Sequence, residues 1–152
     1  MKSNLPMSKP QHWSAPMSYQ VRSTQRFTAT IGINPGYGHA NEKPLTIEEF
    51  VDVWDQHASE VSSRGLAWYY IPAVVLTSKV VYPSTAGCPW GGEDIFVVMG
   101  VCNPTFYARP EVWKMSVIEV VSLVREHFKQ ETVQVVFDQV ESHYARKEET
   151  DG

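Results

Sequence analysis

From Phe27 to Ile33, apolar and polar positions alternate. Phe27, Ala29, Ile31 and Ile33 fall on one side, and Thr28, Thr30 and Gly32 on the other. A period of two predicts a strand, and Pro35-Gly36 closes it. Ile47, Phe50, Val51, Trp54, Ala58 and Val61 then recur at helical spacing. The helix opens on TIEE, a capping box from Thr46 to Glu49, and Gly65 supplies its stop. Two apolar segments, at about 67–82 and 94–102, predict strands. Pro72 makes the first of them an edge strand or one that begins after a break. Pro110 opens a second helix, whose stripe is Trp113, Val117, Val120, Val121, Val124 and Phe128. The final strand, TVQVVFDQV, turns Val133, Val135 and Phe137 inward.

The order β-α-β-β-α-β is the split βαβ arrangement of ferredoxin-like folds, an α+β class. Right-handed crossovers place both helices on one face of a four-stranded antiparallel sheet, with the first and third strands central. The other face would then meet water and should be polar. It is not. Ile95, Val97, Met99 and Val101 fill one side of the third strand, while Phe96, Val98 and Cys102 fill the other. Ala73, Val74, Val75 and Leu76 run together in the second strand, and the last adds Val136 and Val140 outward. A sheet that is apolar on both sides calls for a cover, and a homo-oligomer formed through that face is the common solution. The N-terminal segment or a ligand are the other candidates.

The domain on this reading spans residues 25–146. Residues 1–24, with Pro6, Pro10 and Pro16 and no periodicity, read as a disordered or loosely packed tail, and 147–152 as a frayed end. Composition is that of an ordinary globular chain, 43% hydrophobic and 20% charged. A formal net charge of −4 with scattered Lys and Arg argues against a nucleic-acid partner. No apolar stretch approaches the ~20 residues of a membrane span, and the N-terminus lacks the apolar region of a signal peptide. Cys88 and Cys102 are then expected to be free thiols in an intracellular, reducing compartment.

The five histidines show no metal-ligand spacing, so no metal site is expected, and no GxSxG or cysteine-nucleophile signature occurs. INPGYGHAN, after the first strand, is neither GxGxxG nor a P-loop, and its helix starts too late to receive a phosphate. It reads as a glycine turn, or as a backbone that approaches a ligand closely with Tyr37 stacking on it. The long loop YPSTAGCPWGGED, Tyr82 to Asp94, is more telling. A tight hairpin needs two to five residues, and this one spends about ten. Glu93 and Asp94 directly precede an apolar strand. Either they form a solvated tip, or one of them lies against a low-dielectric wall where a carboxylate needs a partner.

A tyrosine, ten residues, and a glutamate leading into a strand resemble the phage-encoded enzymes that degrade S-adenosylmethionine (SAM), the SAM lyases formerly called SAM hydrolases. Gly65–Leu66 after the first helix, the acidic pair Glu93-Asp94, and REHFKQETVQVVFDQ with Gln130-Glu131 line up in the same order. The likeness covers residues 27–146, with sparse identity and shifted intervals. It implies a ferredoxin-like trimer with SAM bound between subunits, no cofactor, and an anti-restriction role in the cytoplasm of an infected bacterium. It implies Glu93 and Tyr82 as catalytic residues, Glu93 holding the substrate's ammonium or methionine portion and Tyr82 orienting it. Asn34, Gly36, Tyr37, Trp90 and Asp94 complete the candidate substrate-binding set, with no metal. The residues taken without the resemblance leave two other readings open: a non-enzymatic small-molecule-binding oligomer, and a cofactor-free monooxygenase of the same fold.

Overall fold

The computed structural model describes residues 17–34 and 45–147. In chain order the elements are β1 (Met17–Gly32), α1 (Ile47–Ser62), β2 (Val74–Val80), β3 (Glu93–Val101), α2 (Pro110–His127) and β4 (Gln134–Lys147). The four strands form one antiparallel sheet in the order β2-β3-β1-β4, with β1 and β3 central. This is the ferredoxin-like arrangement expected from the order of elements.

One sheet face carries the core. Phe27, Ala29 and Ile31 of β1, with Phe96 and Val98 of β3, are buried under the two helices. Phe50 of α1 stacks on Phe96, ring centroids 4.3 Å apart, and on Phe128 at 5.7 Å. Trp113 of α2 is buried against Phe27 at 5.9 Å.

The capping box at the start of α1 is complete. Glu49 N–H donates to the Thr46 hydroxyl, and Thr46 N–H donates to the Glu49 carboxylate, each at 3.1 Å. Replacing an N-cap threonine by alanine leaves an orphan donor in the first turn. Thr46→Ala is therefore expected to lower unfolding free energy by about 1 kcal/mol, read as a fall in thermal midpoint with unchanged circular dichroism.

Three strand boundaries differ from the sequence expectation, among them that of the last strand, expected over TVQVVFDQV and running from Gln134 to Lys147. The second strand, expected from about residue 67, begins at Val74. The chain before it spends its backbone groups elsewhere: Tyr69 N–H donates to the buried Ser116 hydroxyl at 2.9 Å, and Ile71 C=O accepts from Trp54 Nε1 at 2.9 Å. Pro72 has no N–H to offer. At the other end, residues 17–24, assigned above to the tail, lie in β1 and pair with residues 140–147 of β4. This part of the ribbon extends past the paired length of β3, which reaches only Arg26. With no helix to face there, no apolar alternation was needed to form it. Cross-strand contacts such as Tyr19 with His143, whose ring centroids lie 5.8 Å apart, take its place. Residues 1–16, the rest of that expected tail, lie outside the described residues.

Opposite the helices the sheet is bare, apolar along β2 and β3 and polar along β1, which presents Arg26, Thr28 and Thr30. Val74 is 57% exposed, Leu76 47%, Val101 43% and Val136 49%. Together with Val97 and Met99 on the same side, this is the face for which the sequence demanded a cover. Among the described residues no helix is long and apolar enough to cross a membrane.

Both cysteines are free, as expected. Cys102 is 1% exposed, and burial raises its thiol pKa, partly offset by a hydrogen bond with Thr24. Less thiolate means slower alkylation. Iodoacetamide at pH 8 is expected to modify half-buried Cys88 in the native protein and Cys102 only on unfolding, as peptide mass mapping would show.

Candidate active site

Val80 and Glu93 are cross-strand partners, so the chain between them leaves and re-enters the sheet at one point. A single 3₁₀ turn, Ser84–Ala86, opens the excursion, and Gly87 ends it in the left-handed region at φ 93°. Gly91 and Gly92 follow at φ 84° and 83°. At Gly92 an added Cβ would also lie 2.9 Å from Val80 O, so this position needs glycine both for its conformation and for its space. Gly92 N–H donates to Pro89 O at 3.0 Å, and Tyr82 N–H to Cys88 Sγ at 3.5 Å. The loop is folded on itself, and its two ends meet: Tyr82 Oη donates to Glu93 Oε2 at 3.0 Å.

Glu93 is 7% exposed, the buried carboxylate among the described residues. The tyrosine supplies the partner that a carboxylate needs in such a place. Its neighbour behaves differently because successive strand residues point to opposite faces. Asp94 pairs with Lys79 across the strands, Oδ1 to Nζ 2.6 Å, and borders a separate cavity with Ile33, Leu45 and Thr77. The two acids that look like one motif in the sequence therefore serve two faces.

On its own face Glu93 lines a cavity of about 210 Å³ with Thr30, Gly32, Gln130, Glu131 and Gln134. The outward side of β1, the end of β2 at Val80, the start of β3, and the turn between α2 and β4 with the first residue of β4 build it. That turn is pinned. Gln130 N–H donates to Arg125 O at 3.0 Å, and the Arg125 guanidinium donates to Gln130 O at 2.9 Å. Lys129, at φ 54°, reverses the chain. Gln130 Nε2 in turn donates to Asn34 O and to Phe128 O. Its amide lies so close over Gly32 that a Cβ there would meet Gln130 Oε1 at 2.5 Å. Glycine at position 32 lets the Gln130 amide rest directly on the central strand.

Of the residues singled out from the sequence, Tyr82 and Glu93 come together. Asn34 reaches the cavity wall through its carbonyl on Gln130. Asp94 faces away from the cavity, and Trp90 projects fully into solvent from the loop. Gly36 and Tyr37 lie outside the described residues. Thr30, Gly32, Thr132 and Gln134 were missed, although a signal existed. Thr30 and Gly32 are small residues opposite the large apolar Val97 and Ile95 of β3, as a space left for a ligand would be. Among the described residues no three His, Cys, Asp or Glu side chains gather as a metal site.

A ferredoxin-like sheet with a small cavity bearing the carboxylates of Glu93 and Glu131 defines a small-molecule site suited to a cationic ligand. Residues 22–146 match the family model of the SAM lyases, and the chain belongs to that family. It is a SAM-degrading lyase, which selects the enzyme from the three readings left open by the sequence. Among solved structures it resembles a phage SAM lyase in complex with S-methyl-5′-thioadenosine, with a TM-score of 0.54 and 17% identity over 82% of this chain and 90% of that one. A phage SAM lyase in the apo state gives a TM-score of 0.49 and 20% identity over 86% and 94%. No curated protein matches the chain.

Proposed function

We propose that the enzyme converts SAM to 5′-methylthioadenosine and homoserine lactone by intramolecular attack. A carboxylate oxygen of the substrate's methionine portion bonds to its own Cγ as the Cγ–S bond breaks. The bonding pair goes to sulfur, so the sulfonium leaves as a neutral thioether. No proton is transferred, and the protein need not supply an acid or a base. Catalysis is then largely the holding of a near-attack geometry, which intramolecular reactions reward strongly. Charges are neutralised in the transition state, so an apolar site from which water is excluded also favours it.

The observation that carries this reading is the buried Glu93 carboxylate, clamped by Tyr82 at the cavity wall. In this proposal Glu93 takes the substrate's ammonium and fixes its methionine portion, and Tyr82 holds Glu93 in place and presents its ring to the substrate. Water could compete as nucleophile only if a base activated it, and Glu93 would have to be that base. Product analysis decides. Homoserine lactone appearing first, with methylthioadenosine in equal amount, is the expected result; homoserine without a lactone precursor would overturn it.

The assembly belongs to the same proposal. A cavity of about 210 Å³ is below the roughly 300–1,000 Å³ of sites that enclose a drug-sized ligand. One protomer thus offers part of a wall for SAM, and the bare apolar sheet face beside it is suited to a second copy. We place SAM between subunits of a homotrimer, acting in the cytoplasm of an infected bacterium, where loss of SAM deprives methyl-dependent restriction of its donor. Light scattering should give a trimer; a monomer that retains full activity would refute the shared site.

A further inference from the structure

The two helices meet at a pair of histidines that the lyase reaction does not use. His57 of α1 and His127 of α2 approach with His57 Nε2 3.4 Å from His127 Nδ1, ring centroids 5.5 Å apart and planes at 78°. As a hydrogen bond this contact is long, since N–H donors ordinarily sit about 2.7–3.2 Å from their acceptors. It matches something else. Two imidazole nitrogens on one tetrahedral ion, each about 2.0–2.1 Å from it, lie roughly 3.3–3.4 Å from one another.

The other nitrogen of His57 is also occupied in the manner of a ligand. His57 Nδ1 lies 3.3 Å from Glu60 Oε2, one helical turn along α1. A carboxylate this near the far nitrogen favours the proton on Nδ1 and leaves the Nε2 lone pair for the gap, and the contact would tighten on metal binding as it does behind most metal-bound histidines. The His57 side chain is 13% exposed, so it is held by its surroundings, while His127 lies open to water. An ion in the gap would have two protein ligands and room for water at its remaining positions.

We propose that His57 and His127 chelate one divalent cation of the zinc class, with Glu60 orienting His57. The histidines are 70 residues apart in sequence, so no ligand spacing along the chain announces the site. Its position gives it a consequence. His127 is the last residue of α2, three before Gln130, whose turn closes the cavity on Gly32. The cation would tie the end of α2 to α1 just where that turn begins, and binding to the native state alone raises the thermal midpoint.

The test uses the full chain, stripped with chelator and titrated with Zn²⁺ by calorimetry and by thermal melting. One ion per chain and a higher midpoint are expected. His127→Gln, at an exposed position, should weaken binding at least tenfold and abolish the midpoint shift while leaving the metal-free midpoint unchanged. Glu60→Gln should weaken it about tenfold, as loss of an outer carboxylate does. Absence of Zn²⁺ binding would overturn the proposal and leave a plain histidine contact. So would binding that His127→Gln does not change, since other histidines would then be the ligands. Neither result bears on SAM turnover, so this proposal and the lyase mechanism stand or fall separately.

Discussion

Glu93→Gln is expected to lower kcat/KM for methylthioadenosine formation by about a hundredfold or more, with the protein still folded. The substitution keeps size and can still accept the hydrogen bond from Tyr82, so the loop ends should remain joined. What is lost is the negative charge in a buried setting, where water does not replace it. If that charge holds the substrate's ammonium, the carboxylate of the same amino acid is no longer aimed at Cγ. Misplacement by about 1 Å can cost some hundredfold in a reaction that depends on alignment. Tyr82→Phe removes the donor at 3.0 Å but keeps the ring, and should cost less, about tenfold. The double variant separates two roles for the tyrosine. If Tyr82 acts through Glu93, losing both should be no worse than losing Glu93 alone, because residues that act as a unit are not additive. A multiplicative loss would mean that the Tyr82 hydroxyl touches substrate independently of Glu93. Full activity in Glu93→Gln would remove this residue from the mechanism.

The second large effect is expected on the bare sheet face. Leu76→Asp puts a charge among the apolar side chains of β2 and β3, at a side chain 47% exposed in one protomer. In the isolated chain this costs little, since the carboxylate remains in water. In an assembly that covers the face it would be a buried, unpaired charge, worth several kcal/mol against association. Light scattering should therefore show monomers with an unchanged circular dichroism spectrum, and SAM turnover should fall in parallel. A conservative partner, Leu76→Met, should preserve both. Monomers that keep full turnover would show that each protomer carries a complete site. An unchanged trimer would show that the subunits meet elsewhere.

The two expectations differ in how far they could be read from the chain. The apolar face was legible, because β3 has apolar residues at both parities and a pleated strand has only two sides. Ile95, Val97 and Met99 had to lie opposite Phe96 and Val98 whatever the rest of the molecule did. The helices were equally plain: Thr46 and Glu49 closed their capping box, and Pro110 stands at the first turn of α2. These are local rules, satisfied within a few residues. The limits of β2 were not, since Ser116, Trp54 and Pro72 decide where its ladder can start, and the first two come from other elements.

The site lies mostly on the non-local side of that division. Sequence by itself determined the element order, the inward stripes, the two-sided sheet, and the suspicion that a ten-residue loop with a tyrosine at one end and a glutamate at the other was more than a connector. Tertiary structure decided which acid matters at the cavity. Glu93 and Asp94 are neighbours along the chain, yet pleating sends one to the cavity and the other to Lys79. It also brought Gln130 and Glu131 from the far end of α2 to Gly32 of β1, a meeting that depends on how α2 and its turn pack against the central strand. The joining of His57 to His127 depends likewise on how α1 and α2 pack. Hydrophobic periodicity is written residue by residue, whereas a site is a set of distances between residues remote in sequence, and those exist only after the chain has closed.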